Sequence, residues 1–489
     1  MRTLTPSAPA LLLAACLPLL SSACAARKPP AEAASPARKL GSDSGARKHV
    51  GITVYNRNFG VVRERRAVEL GTGTVELAYA DVAALLEPNT VHIRSLGDPK
   101  ALAVLEQNYR YDLLTPETLL KKHVGKRIKV YRYNQKLGTE EEKAAEVLAA
   151  DDGVVLRIDG QVTYDFPGRF AFPEVPDNLL AEPTLVWLLE SRAPKQEIEV
   201  TYLTRGLNWS ADYVLSLDAN DRVADLTGWV TLANESGTSY ENAELKLVAG
   251  DVQRVAPPPP PPMAEMEESA VAQDAAANRA FREEALFEYH LYALQRPTTI
   301  RDNEQKQVTL LEARGIGIQK KLLFHGNQSY FHATFPQQAR EKVGVYLDIQ
   351  NEQKNQLGIP LPEGVIRVYK ADRDGAKQFV GEDRIEHTPR DEKVRIRLGE
   401  AFDVVAERKQ MRFAILGKCL FESEWEISIR NHKDVAESVE VFEPTAGDWE
   451  VTRSTHPARR EDARTFVFDV KVPPNAETKL TYAVRVRGC

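Results

Sequence analysis

Residues 197–248 read EIEVTYLTRGLNWSADYVLSLDANDRVADLTGWVTLANESGTSYENAELKLV. In the runs 197–204, 210–217, 224–234 and 243–248 apolar and polar residues largely alternate, the two-residue period of a strand with one buried face. Asp, Asn and Gly collect between the runs, at 218–221 and 234–237, where they favour turns. The same texture extends outward on both sides. Upstream lie runs at 50–55, 59–64, 75–79 (after the Gly71-Thr72-Gly73 turn) and 90–96. Downstream lie 307–311, 318–324, 341–350, 364–370, 378–380, 393–398 and 402–405. The final stretch alternates at 424–430, 438–442, 449–453, 465–472 and 479–487, with turns at 431–434, 446–448 and 473–475, a pattern that describes a β-sandwich. The chain is expected to be mainly β, multidomain, with few short helices.

The exceptions are local. Thr115 followed by Pro116 and Glu117 predicts a short helix, because Thr caps, Pro fits the first turn and an acid suits the helix N-terminus. Runs at 124–132, 144–149, 152–158 and 160–164, joined by Gly-containing turns, predict a small SH3-like barrel, with a meander in a larger sheet as the competing reading. The segment TLVWLLE at 184–190 reads as helical or buried, 81–86 as a single helical turn, and 275–289 as a helix re-entering the fold. Asp374-Gly375 signals a type I′ hairpin. At Val255 the composition shifts to six consecutive prolines and then an acidic, alanine-rich run. Proline supplies no amide for a ladder, so 255–280 is expected to be a disordered insertion. The expected organisation is a 1–24 leader, a 25–48 flexible basic tether, a 49–112 N-terminal β domain, a 113–180 barrel, a 181–418 central β domain and a 419–489 β-sandwich.

The 489 residues are 43% hydrophobic and 27% charged, a globular balance, and the net charge of −6 argues against nucleic acid as a partner. Residues 1–24 place one cation, Arg2, ahead of an apolar stretch ending in small residues and a cysteine, which reads as a secretory leader. It resembles bacterial lipoprotein signals, in which such a cysteine is acylated. Cys24 sits where the apolar run ends, and Cys16, in Leu13-Ala14-Ala15-Cys16, is the alternative, with an ordinary cleaved signal carrying no lipid as the other reading. Ala25 and Ala26 follow Cys24, which by the same resemblance favours an outer-membrane lipoprotein of the cell envelope, facing periplasm or surface. The other two cysteines, Cys419 and Cys489, are then a candidate disulfide in an oxidising compartment, with two unpaired thiols as the alternative.

Motifs whose mechanism fixes their spacing are missing: no phosphate loop, zinc helix, nucleophile elbow or CxxC pair occurs. Gly315-Ile316-Gly317 reads as turn glycines. Asp372-Arg373-Asp374-Gly375 resembles half a calcium loop, but the register puts Lys370 and Gly381 where oxygen ligands are required. His325 and His332 are seven apart with Phe324 and Phe331 beside them, so they read as ordinary histidines and not zinc ligands. Trp209, Tyr213, Trp229, Trp425 and Trp449 fall in strand contexts, where core packing is the default. Polar density peaks at 381–391. There Glu382, Asp383, Arg384 and His387 form the candidate polar site, able to hold a ligand or do acid/base work, or simply to pair among themselves at a turn.

A resemblance rests on combined motifs: Trp209-x-Ala211-x-Tyr213, Asn234-Glu235-Ser236-Gly237 with Tyr240-Glu241-Asn242-Ala243, and Leu247 through Asp251. Gly381-Glu382-Asp383-Arg384, Ala401-Phe402-Asp403, Arg430-Asn431-His432-Lys433 and Trp449-Glu450 continue it. Residues 200–489 resemble the mucoidy-inhibitor A type C-terminal domain, domain of unknown function 4139. Tyr55 through Glu64 and Val104 through Tyr109 look like the N-terminal half of a lipoprotein subgroup. The resemblance implies a β-rich envelope protein and brings no catalytic residues, cofactor or metal. The expected function is a non-catalytic binding or scaffold module, held to the membrane by its lipid and partnered by envelope proteins or a glycan. The alternatives are an envelope hydrolase using the Glu382/Asp383/His387 region, or an export or assembly factor gripping extended peptides by strand addition.

Overall fold

The computed structural model describes residues 37–110, 112–134, 138–151, 153–176, 179–250, 252–254, 281–287, 289–335 and 339–488. The leader with Cys16 and Cys24, the insertion 255–280 and Cys489 lie outside the described residues. Strand accounts for 65% of the structure and helix for 6%, so the mainly β expectation stands.

The alternating runs become strands, but sequence neighbours are often not sheet neighbours. Four strands in the order Arg38–Ser42, Gly73–Tyr79, Thr184–Ser191 and Leu102–Arg110 make one sheet. A second runs Phe281–Leu286, Tyr289–Leu294, Tyr240–Ala249, Arg47–Tyr55, Phe59–Val68, Gln196–Arg205 and His92–Ser95, with Thr298–Ile300 alongside Tyr240–Ala249. The two share a core of alternate residues, among them Ile52, Leu77, Tyr79, Trp187, Val200 and Tyr202. Half of this sandwich's ladder therefore comes from residues beyond 180, past the segment 49–112. TLVWLLE is a central strand and not a helix: eight residues are too few for periodicity to separate the two, and Trp187 is fully buried on it. Residues 81–86 form an irregular turn. Past 280 the chain re-enters as the hairpin Phe281–Leu286 and Tyr289–Leu294, not as a helix. The expected tether is also shorter than 25–48, because Arg38–Ser42 pairs in parallel with Val75–Tyr79 and the Arg38 guanidinium bonds the Leu70 carbonyl.

The segment 113–180 enters and leaves at a neck where Leu113 bridges Leu180. Thr115 caps the helix Pro116–Lys122, accepting from the Thr118 amide. Five antiparallel strands follow in the order Gln161–Tyr164, Val155–Ile158, Thr139–Ala149, Arg127–Asn134 and Arg169–Ala171. They form an open sheet and not the expected barrel. Edge strands of four and three residues do not pair with each other, and the apolar face is covered instead by Leu120 of the helix and by Phe166, Phe170 and Phe172.

The remaining strands form one extended sheet. Its first part runs Lys377–Ile385, Gly364–Ala371, Leu207–Leu217, Val223–Asn234, Glu304–His325, Ala339–Gln350 and Lys393–Gly417. This part curls until its ends meet: Asp383 Oδ2 accepts from the Arg397 amide at 2.6 Å, and a Cβ on Gly381 would fall 2.6 Å from the Leu398 carbonyl oxygen. No ladder joins the ends, so the curl is not a closed barrel. The hairpin at Asp374-Gly375 is present but is not type I′. Only Gly375 has positive φ (+83°), and the Asp372 amide bonds the Ala376 carbonyl, which makes a three-residue loop with a left-handed glycine.

The C-terminal sandwich uses Leu420–Asn431, Ala476–Arg487, Asp448–Ser454, Glu437–Pro444 and Thr465–Val472. Its core also takes Leu322, Phe324, Phe331, Val343, Val404 and Ala406, so it starts well before residue 419. Two long strands cause this overlap. Glu304–His325, 22 residues, pairs first with Val223–Asn234 and then with Ala339–Gln350 and Glu437–Pro444. It bends at a bulge in which Arg314 and Gly315 oppose Asp225, Gly315 having φ +67°, so these glycines serve a bent strand and not a turn. Lys393–Gly417, 25 residues, links the same two cores.

Candidate functional site

The polar residues at 382–387 do not converge. In a strand successive side chains face opposite ways. Glu382 therefore joins an outer ladder that crosses five strands. Glu382 lies 3.2 Å from Arg367 Nε, Arg367 Nη1 donates to Asp212 Oδ1 at 2.9 Å, Thr231 donates to Asp212 Oδ2, and Gln307 donates to Thr231. Asp383 is turned the other way, accepting from the amides of Arg384 and Arg397. Arg384 is exposed, and His387 Nδ1 accepts from the Glu363 amide at 3.1 Å. Residues 384–389 and 392–395 border an open depression of about 500 Å³. His325 stacks on Phe442 while His332 packs edge-on to Phe421, each with its own aromatic neighbour.

The motifs singled out in the sequence are mostly architectural. Trp209 and Tyr213 are buried, donating to the carbonyls of Val248 and Pro362. Trp425 is buried too, whereas Trp229 and Trp449 are half-exposed. Asn234 and Asn431 do the same job at two strand ends. Each side-chain oxygen accepts the amide two residues on (Ser236, Lys433), and each side-chain amide bonds the carbonyl four residues on (Thr238, Val435). Asn351 holds Gly358, Ile359 and Pro389 in a similar way. All three are buried and close loops that would otherwise leave backbone groups unpaired. Phe402 is the exception, 94% exposed in an irregular stretch of its strand.

Two buried charge clusters lie inside the sandwiches. Glu64 faces Arg66 (2.8 Å), Arg47 (2.9 Å) and the Tyr79 hydroxyl (3.0 Å), and Arg66 also bonds the carbonyls of Ser42 and Ala80. Burial and the Glu64 carboxylate hold the Tyr79 hydroxyl well above the ordinary phenol range. In the C-terminal core Arg408 meets Glu443 at 2.6 Å, with Phe324, Tyr330 and Trp425 around its guanidinium. Burial pushes the Glu443 carboxyl up against the pull of Arg408. A third pair, nearer the surface, is bidentate: Arg395 Nε and Nη2 lie 2.7 and 2.8 Å from the Asp348 oxygens. Burial works to raise Asp348, but the Arg395 hydrogen bonds and charge outweigh it, and the carboxyl is lowered. A lowered folded-state pKa stabilises the fold above the unfolded value of about 4, and that stability is lost as pH falls through the folded value. Asp348→Asn is therefore expected to flatten the loss of melting temperature between about pH 4 and pH 2, measured by thermal unfolding across that range.

A pocket of about 230 Å³ opens at one end of the curled sheet, and local sequence reading missed it. Its lining comes from residues scattered from Leu217 to Glu400. Lys320 and Lys370 both donate to Asp221, at 3.0 and 2.5 Å. No local motif announces these three residues, which are brought together by pairing between strands far apart in sequence, Leu217 opposite Lys370 and Val223 opposite Gly317.

The family model for a domain of unknown function (DUF4139) matches residues 198–488. The chain belongs to that family. None of the curated proteins compared matches it. The DUF4139 region begins inside the strand Gln196–Arg205 and contains the curled sheet, its mouth and the C-terminal sandwich. Its N-terminal strand is hydrogen-bonded to Phe59–Val68, outside the matched region, so the family domain is built here onto a sandwich that it helps to complete.

Proposed function

We propose that this DUF4139 protein is a lipid-anchored component of the bacterial cell envelope, acylated at Cys24, that acts as a non-catalytic binding or scaffold module. Its expected place is the outer membrane, and its expected partners are envelope proteins or a glycan. One observation carries the non-catalytic reading. A glycosidase-type hydrolase needs two carboxyl groups facing one bond, whereas Glu382 and Asp383 lie on opposite faces of an edge strand and each is engaged in holding neighbouring strands. The first described strand starts at Arg38, so residues 25–37 allow the folded body to stand up to about 45 Å from an acylated Cys24.

The strand-addition reading has its own support. Leu102–Arg110 is a nine-residue edge strand with no strand on its outer side among the described residues. Val104 and Leu105 on it are exposed, and a bulge at Leu105 shortens the regular edge available to a partner.

Crosslinking in intact cells followed by mass spectrometry tests the module reading. Reproducible recovery of the same envelope proteins is expected, and a partnerless monomer would overturn the scaffold role. Cys24→Ala is expected to release the protein from the membrane fraction. Unchanged fractionation would overturn acylation at Cys24.

A further inference from the structure

We infer that the mouth of the curled sheet binds an anionic amphiphile, a carboxylate carrying a short unbranched apolar tail. Two bulges shape it. Val380 is the extra residue where Val368 pairs with Gly381 and Tyr369 with Phe379. Leu398 is the extra residue where Val345 pairs with Gly399 and Tyr346 with Arg397. The bulges sit on the two strands whose ends meet, and both extra residues line the pocket beside Val345 and Leu347. Bulges at the rim of a curled sheet re-aim side chains and end pairing, which here holds a gap open where a regular ladder would close it. The result is an aliphatic floor within about 230 Å³.

Asp221, Lys320 and Lys370 form a connected group in the lining of this floor. Asp221, in a left-handed turn conformation (φ +56°), directs its carboxylate at Lys320 and Lys370. Burial works to raise this carboxyl, and the two lysines outweigh it, so Asp221 stays ionised. Two ammonium groups share the Asp221 carboxylate beside an apolar floor, while Asp218, its carboxyl lowered by the amides of Val223, Arg222 and Asn220 and by the nearby Lys370 charge, keeps its oxygens on those amides. Glu400, also in the lining, faces Lys342 and is neutralised by it. A carboxylate head can take the lysine donors that Asp221 leaves unfilled, since each ammonium carries three, while its tail covers the aliphatic surface. A cationic head would meet two like charges, and a short polar anion would leave the floor wet.

Calorimetric titration with octanoate, octylammonium and acetate tests this. Octanoate is expected to bind, with octylammonium and acetate each weaker by roughly tenfold or more. Lys320→Gln with Lys370→Gln should weaken octanoate by at least about fivefold. Val380→Trp should abolish binding by filling the mouth, with thermal unfolding confirming that the fold is kept. Should Val380→Trp fail to fold, methyl NMR of the unaltered protein replaces it, with octanoate expected to shift Val345, Leu347 and Leu398. The inference is overturned if octanoate does not saturate below about 5 mM, if octylammonium binds as tightly, if the lysine substitutions or a folded Val380→Trp leave octanoate affinity unchanged, or if those methyls do not move.

Discussion

Arg408→Ala is expected to destabilise the C-terminal sandwich by about 3–5 kcal/mol, because it leaves the fully buried Glu443 without the charge that faces it. The loss should depend on pH. Burial already raises Glu443, and without Arg408 that rise goes uncompensated. A carboxyl whose folded-state pKa is raised contributes stability fully present below its unfolded value, near 4.5, and lost as pH rises through the folded value. The gap between variant and parent should therefore widen from about pH 5 to pH 8, as read by urea unfolding. Replacing both partners, Arg408→Met with Glu443→Leu, should recover most of the loss, since a packed apolar pair has no charge to desolvate. A single Arg408→Ala that matches the parent at every pH would show that the pair carries no structural charge coupling.

Glu64→Gln should cost a similar amount, about 3–5 kcal/mol, in the first sandwich. The amide keeps the shape of the side chain but removes the carboxylate that faces both Arg66 and Arg47, the first fully buried and the second nearly so. Glu382→Gln provides the contrast. Glu382 is exposed and its partner Arg367 partly so, and surface pairs of this kind contribute under about 1 kcal/mol. Thermal melts of the two variants side by side should therefore differ by several degrees or more. Equal melting temperatures would contradict the assignment of Glu64 as the structural charge and Glu382 as a surface ladder residue.

The strands were legible in the sequence because alternation is local, and so was the cap at Thr115. Sheet membership was not legible. Tyr240–Ala249 lies in parallel against Arg47–Tyr55, almost two hundred residues earlier, and nothing local encodes that partner. The strand count at 113–180 suggests a barrel, but closure depends on edge lengths and partners that counting does not see. The polar cluster misled for a related reason. Adjacency in sequence is opposition in a strand, so Glu382 and Asp383 looked like a pair and are not. The mouth stayed hidden because Asp221, Lys320, Lys370, Val380 and Leu398 are each unremarkable in their own neighbourhoods. Cys419 is disulfide-bonded, and the Gly488 amide donates to its carbonyl at 3.0 Å, while Cys489 lies outside the described residues.

The pairing of early strands with late ones also sets the order in which the chain can fold. Arg47–Tyr55 and Phe59–Val68 can form a hairpin as soon as they emerge, yet the outer flank of that hairpin waits for Tyr240–Ala249, and its inner flank for Gln196–Arg205. Contacts so distant along the chain slow folding, because a long loop must close before any of them forms. Glu304–His325 and Lys393–Gly417 then serve two cores each, so neither unit reaches its final packing until the other has supplied its half of a shared strand. The last ladder, Leu420–Asn431 with Ala476–Arg487, waits for residues more than four hundred positions after the first hairpin. Between the first hairpin and that last ladder the nascent protein presents open sheet edges, the form in which β-rich chains are most prone to aggregate. Its yield in a cell should therefore depend on whatever shields those edges until residue 487 is in place.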